Sequence, residues 1–162
     1  MSKIRKKTIQ GLSTGDSFAV CRTFTDKDVQ AFADISKDYN PIHFDQRFAA
    51  VKGLKKPICH GLLAASMLTE IGGQMGWLAS GMNFRFKKPI YVNEAVTCRL
   101  TIDEIDARGR ATANSVYSNP DGEVVLEATL TGIVPGAPER RILESMVDAG
   151  DPTNPLASAS TD

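Results

Sequence analysis

The clearest signal along the chain is a change of hydrophobic period. Over residues 18–24, apolar and β-branched positions alternate with polar ones, the period-2 pattern of a strand. Thr25 and Asp28 then form a variant of a capping box. Val29, Phe32, Ala33 and Ser36 fall on one face at helical spacing, with Ile35 beside it. This predicts a helix over residues 26–36. It ends there because residues 37–40 are turn-forming and Pro41 biases Asn40 away from helical angles. A short helix is expected over residues 45–51, followed by a basic loop over residues 52–57. From residue 61 to about 75 a longer helix is predicted. Its first half is apolar nearly all round, through Leu62, Leu63, Ala64, Ala65, Met67, Leu68 and Ile71, which marks a helix enclosed by other structure. Gly72, Gly73 and Gly76 favour its end.

After that helix the period returns to two. Residues 83–87 alternate, and Val96, Cys98, Leu100 and Ile102 alternate with Thr97, Arg99, Thr101 and Asp103. Residues 111–118 read as another strand. Asn119, Pro120, Asp121 and Gly122 make a turn, and residues 124–134 follow as a long strand. Helices grouped early and strands with short connections late indicate an α+β domain with an antiparallel sheet. Beyond Pro135 the composition shifts. Residues 139–148 suit a short amphipathic helix, and residues 151–162, rich in Ser, Thr, Pro and Ala, are expected to fray. The expected organisation is one domain over residues 1–137, with residues 1–8 flexible, and a tail over residues 138–162.

Composition narrows the function. A length of 162 residues fits one domain better than two. Lys+Arg and Asp+Glu are 19 each, so the basic excess of a nucleic-acid binder is missing. No apolar run approaches the length of a membrane span. The basic start, with Lys3, Arg5, Lys6 and Lys7, is followed by polar sequence instead of the apolar core of an export signal, which predicts a solvated N-terminus and a cytoplasmic protein. Cys21, Cys59 and Cys98 have neither zinc spacing nor a disulfide framework. Cys21 and Cys98 are expected as small core residues. Cys59 is a weak candidate for a nucleophile, because it and His60 point to opposite sides of an extended chain.

His43 and His60 are the only histidines, so imidazole chemistry has two places to be. Asp38, Asn40 and His43 converge within six residues on a chain bent by Pro41. A carboxylate and an imidazole facing one gap can hold a water, one orienting it while the other removes or returns a proton. The alternative is a plain loop in which Asp38 and Asn40 cap turns and His43 packs. Downstream, Pro57, Ile58, Cys59, His60 and Gly61 lead straight into the enclosed helix. The first amides of a helix lack internal partners, and Gly61 has no side chain to keep a carbonyl away. There too a plainer role exists, with Gly61 easing a tight entry and His60 serving as a cap or core residue. A proton-handling pair plus an amide that accepts oxyanion charge suits chemistry next to a thioester carbonyl.

The two motifs together, Asp38-x-Asn40-Pro41-x-His43 and the downstream Pro57-x-x-His60-Gly61-Leu62, resemble those of the MaoC-like (R)-specific enoyl-CoA hydratases, or hydratase 2. The resemblance spans residues 18–134. It implies a single hot-dog fold, an antiparallel sheet wrapped around a long central helix. It implies that Asp38 and His43 activate water, that Asn40 holds the water and the loop, and that the Gly61 amide contacts the oxyanion. Pro41, His60, Leu62 and Lys37 are then expected to border the substrate, a coenzyme A or acyl-carrier-protein thioester. No metal or redox cofactor is implied, and family members usually form homodimers.

One departure is Lys37, where the family's loops often carry glycine. It is expected to alter the loop angle or to bring a positive charge toward a phosphate-bearing pantetheine. Lys55 and Lys56 are further local cations that an anionic carrier would have to rely on. Arg85, Lys87 and Lys88 either meet coenzyme A phosphates or are an ordinary solvated face, and the second reading is preferred. The reaction implied is reversible hydration of a trans-2-enoyl thioester to an (R)-3-hydroxyacyl thioester, in fatty-acid metabolism or polyhydroxyalkanoate synthesis. Acyl-CoA thioester hydrolysis and non-catalytic acyl-thioester binding are the alternatives.

Overall fold

The computed structural model describes residues 1–150. Five antiparallel strands form one sheet: β1 (Ser17–Thr23), β2 (Leu78–Phe86), β3 (Ala95–Ile105), β4 (Arg110–Ser118) and β5 (Val124–Ile133). Their order across the sheet is β1-β3-β4-β5-β2. Alternation puts Val96, Cys98, Leu100 and Ile102 of β3 on the same buried face as Ala111, Ala113, Ser115 and Tyr117 of β4. Leu126, Ala128 and Leu130 of β5 complete it. Against this face lie α4 (Gly61–Ala65) and α5 (Met67–Met75), whose Ala64, Met67, Leu68, Ile71 and Met75 are almost wholly buried. A sheet wrapped on an enclosed helical segment is the hot-dog arrangement.

The enclosed segment is two helices, not the single one expected over residues 61–75. Ser66 joins them with helical dihedrals of its own, φ −61° and ψ −17°. The Thr69 N–H bonds to the Ser66 carbonyl three residues back, at 2.9 Å. The Ala65 carbonyl instead accepts the buried Tyr117 hydroxyl at 3.0 Å. A strand thus takes over one helical acceptor, and the helix tightens locally to release it.

Three further differences have clear causes. The start of the chain, expected to be flexible and solvated, forms α1 (Lys3–Gln10). Ser2 caps it by accepting the Arg5 N–H, and Ile4, Arg5 and Thr8 are buried at helical spacing against the body of the protein. Cys21, expected in the core, is exposed. Phe18, Val20 and Arg22 of β1 pair with the inward Leu100, Cys98 and Val96, so Cys21, opposite Thr97, belongs to the outer face. Finally, β2 starts at Leu78, five residues before the predicted strand.

The remaining helices are α2 (Asp26–Ser36), α3 (Gln46–Val51) and α6 (Ala137–Asp148). The Thr25–Asp28 capping box is present on α2. The helix expected near the C-terminus is α6, which packs against α1. The fraying expected for residues 151–162 lies outside the described residues. Among the described residues, no helix is long and apolar enough to cross a membrane.

Candidate active site

The site is built from two loops that grip each other. The first leaves α2 at Lys37, which takes a left-handed conformation at φ 62° while its N–H still bonds to the Ala33 carbonyl. That conformation strains any residue with a Cβ and is open to glycine without that strain. The turn bonds of a plain loop are all present: the Asp38 N–H reaches the Ser36 hydroxyl, the Asn40 N–H reaches Asp38 Oδ1, and Asn40 Oδ1 accepts the Ile42 N–H, each at 3.2 Å. They set up a single 3₁₀ turn, Pro41–His43, that swings His43 inward. Local capping and a catalytic arrangement are therefore compatible here.

The second loop runs into α4. His43 Nδ1 lies 2.8 Å from the Ile58 carbonyl, which can only accept, so Nδ1 carries the hydrogen and Nε2 has a free lone pair. In return, His60 Nε2 donates to the Asp38 carbonyl at 2.9 Å. The two rings stack with centroids 3.8 Å apart and planes 30° apart. His43 Nε2 faces Asp38 Oδ2 at 3.8 Å, too long for a direct hydrogen bond. His43 is 9% exposed and Asp38 49% exposed, so the imidazole is sheltered and the carboxylate reaches solvent. Burial pushes the His43 pKa below the ordinary 6.5, and the charge of a protonated His60 would act in the same direction. The hydrogen bond to Ile58 and the Asp38 charge oppose the shift without overcoming it.

This pair sits in the wall of a cavity of about 700 Å³, a volume typical of small-molecule sites. The structure brings Asp38, His43, His60, Gly61 and Leu62 together on its wall. It leaves three expected residues outside the lining. Lys37 and Pro41 are exposed, and Asn40 is committed to capping the 3₁₀ turn. Of the other lining residues, Phe32, Ile42, Leu54, Phe86 and Ile90 supply apolar surface and Lys52, Lys87 and Lys88 add cations; sequence reasoning missed all of these except Lys87 and Lys88. The sequence marks Phe32 only by its place on a helix face, and it offers Lys87 and Lys88 two readings, contacts to coenzyme A phosphates or the preferred ordinary solvated face. Lys87 and Lys88 each pair with a glutamate, Glu127 and Glu123. Gly61 has a packing reason to be glycine, because a Cβ there would lie 2.6 Å from the Phe86 ring.

A thiol mechanism does not fit. Cys59 is buried, and burial pushes its thiol up to about 12. An Asp38 oxygen and one nitrogen from each histidine lie within 4.8 Å of one another.

Fold and site together define a hot-dog protein with a carboxylate–imidazole pair on the wall of a cavity of small-molecule size. The model of the MaoC like domain matches residues 13–121, and the chain belongs to this family. An (R)-specific enoyl-CoA hydratase of Aeromonas caviae is 35% identical over 97 residues, covering 57% of this chain and 72% of that protein. A mitochondrial 3-hydroxyacyl-acyl-carrier-protein dehydratase of Arabidopsis thaliana is 27% identical over 143 residues, or 83% of each. The solved structure of an (R)-hydratase from A. caviae involved in PHA biosynthesis superposes with a TM-score of 0.73 at 29% identity, covering 78% of this chain and 99% of that one. The chain is thus an enzyme of the hydratase and dehydratase kind, a hydro-lyase.

Proposed function

We propose that this protein reversibly adds water to trans-2-enoyl thioesters, giving (R)-3-hydroxyacyl thioesters. The observation that carries this reading is the unbonded lone pair of His43 Nε2, held 3.8 Å from the Asp38 carboxylate on the cavity wall. Asp38 orients a water, and His43 takes its proton as the oxygen bonds to C3 of the acyl chain. The electron pair displaced from the C2–C3 double bond moves toward the thioester oxygen, where the Gly61 N–H receives the charge. Return of a proton to C2 completes the addition, and the reverse sequence is dehydration. Asn40 supports the reaction through the loop. No metal or redox cofactor takes part.

Relatives named for CoA and for acyl-carrier-protein substrates both match, so either carrier is a reasonable donor. Lys52, Lys87 and Lys88 on the cavity wall suit an anionic carrier better than Lys37 does. A homodimer is the proposed assembly. β2 is an edge strand and exposes Leu78, Met82 and Phe86, and light scattering on the purified protein should give twice the chain mass.

Crotonyl-CoA hydration, followed by loss of the enoyl absorbance, tests the reaction. His43→Ala and Asp38→Asn should each lower kcat by about 10²–10⁴. Full activity in both variants refutes the mechanism. Thiol release from a saturated acyl-CoA would favour hydrolysis instead, and tight binding of enoyl-CoA without turnover would favour a binding module.

A further inference from the structure

His60 is one of the most deeply buried side chains, 1% exposed, yet the hydration chemistry uses none of its atoms. Its Nε2 donates to the backbone carbonyl of Asp38 at 2.9 Å. Its Nδ1 is buried with no hydrogen-bond partner. Its ring is held between the stacked His43 at 3.8 Å and Phe32 at 5.0 Å, with Phe44 edge-on at 6.0 Å.

We propose that His60 is a positioning residue: its Nε2–H fixes the backbone of Asp38, and its ring fixes the plane of His43, so that carboxylate and base meet across one water. This inference rests on the hydration reading of the site. Two observations make it more than packing. The single donor of His60 goes to the backbone carbonyl of a proposed catalytic residue. A purely apolar filler would leave that carbonyl without this partner, and the wedge between Phe32 and His43 is already shaped for a ring. The bond from Nε2–H to the Asp38 carbonyl favours this orientation of the ring over the flipped one. A flip would bury an N–H without an acceptor and release Asp38.

The test is a set of substitutions read as kcat and KM separately on crotonyl-CoA. His60→Phe keeps a ring and removes the donor. It should lower kcat roughly tenfold or more, with KM changed less than about twofold, since small misplacement of reacting groups is costly. His60→Gln can present an amide N–H near the Nε2 position and should recover most of the loss. His60→Asn reaches only the Nδ1 position and should not. Should His60→Phe fail to fold, the Gln and Asn pair still decides the question. On the wild-type protein, nitrogen-resolved NMR should find the His60 hydrogen on Nε2. Normal kcat in a folded His60→Phe variant, equal activity of Gln and Asn variants, or a hydrogen on Nδ1 alone would each overturn the proposal. Full activity in His43→Ala and Asp38→Asn would overturn the hydration reading instead, so the two failures are distinguishable.

Discussion

Alanine at position 61 separates the folding role of Gly61 from its proposed chemical role. A Cβ there would lie 2.6, 2.9 and 3.0 Å from three ring carbons of Phe86, so something must move. Phe86 is 55% exposed, and its ring has solvent to move into. Burying a whole Phe side chain stabilises a fold by about 1.5–3 kcal/mol, so losing the buried part of this one costs about 1 kcal/mol. Against that, alanine restricts the unfolded chain more than glycine does and so stabilises by about 0.4–1 kcal/mol. The left-handed region, where alanine would be strained, is not required at Gly61. The two contributions nearly cancel, and the thermal midpoint should move by only a few degrees. Activity has no such compensation. The new methyl crowds the N–H that the proposed mechanism gives to the thioester oxygen. Loss of one oxyanion donor typically costs about 10²–10³ in kcat, and a fall of roughly a hundredfold is expected. The assay is crotonyl-CoA hydration beside a thermal melt, with Phe86→Ala as the control for the ring. A folded Gly61→Ala enzyme at wild-type rate would refute the oxyanion role. Phe86→Ala alone reproducing the whole loss would assign it to the ring.

Three other perturbations have outcomes set by the structure. His43 must be unprotonated to act as a base and burial holds its pKa down, so the acid limb of kcat/KM should have its midpoint below pH 6.5; a midpoint above 6.5 contradicts the burial argument. The same depression means that the unfolded chain binds this proton first, so stability is intact above about 6.5 and declines as pH falls toward the lower folded value. Lys37→Gly relieves a left-handed backbone at φ 62° and should raise stability by about 1 kcal/mol in urea unfolding, and a loss of stability would show that the conformation is not strained. Tyr117→Phe leaves the Ala65 carbonyl unpaired in the core and should cost about 1–3 kcal/mol, so an unfolding midpoint equal to wild type would refute that bond's contribution.

Sheet and helix periods were legible wherever one face of an element meets the core. The alternation of Val96, Cys98, Leu100 and Ile102 is reproduced residue by residue, and the capping box starts α2 where its residues place it. What escaped depends on partners distant in sequence. The break at Ser66 exists because Tyr117, on β4, removes an acceptor from the helix. Cys21 faces outward because β3 sets the parity of β1. The four basic residues near the start mask an amphipathic pattern of Ile4 and Thr8, whose burying surface lies on elements far along the chain. In the site, the motif residues Asp38, His43 and Gly61 were readable from their chemistry. Lys52 and Phe86 reach the cavity by tertiary geometry that no local pattern reports.

The separation of the two motifs has a physical meaning in the way the loops bond. His43 stands on the first loop and uses its Nδ1–H on Ile58 of the second. His60 stands on the second loop and uses its Nε2–H on Asp38 of the first. The Ile58 N–H adds a third link, to the Ile42 carbonyl, at 3.3 Å. Each imidazole thus orients the segment that carries the other, and the stacked rings close the gap between them. Each loop supplies the backbone carbonyl that sets the other's hydrogen. A motif consisting of the first loop alone would leave the tautomer of His43 undetermined. The downstream His60 therefore belongs to the same hydrogen-bonded unit as Asp38 and His43. Substitutions in the two loops should be strongly non-additive when combined, since either one releases the same pair.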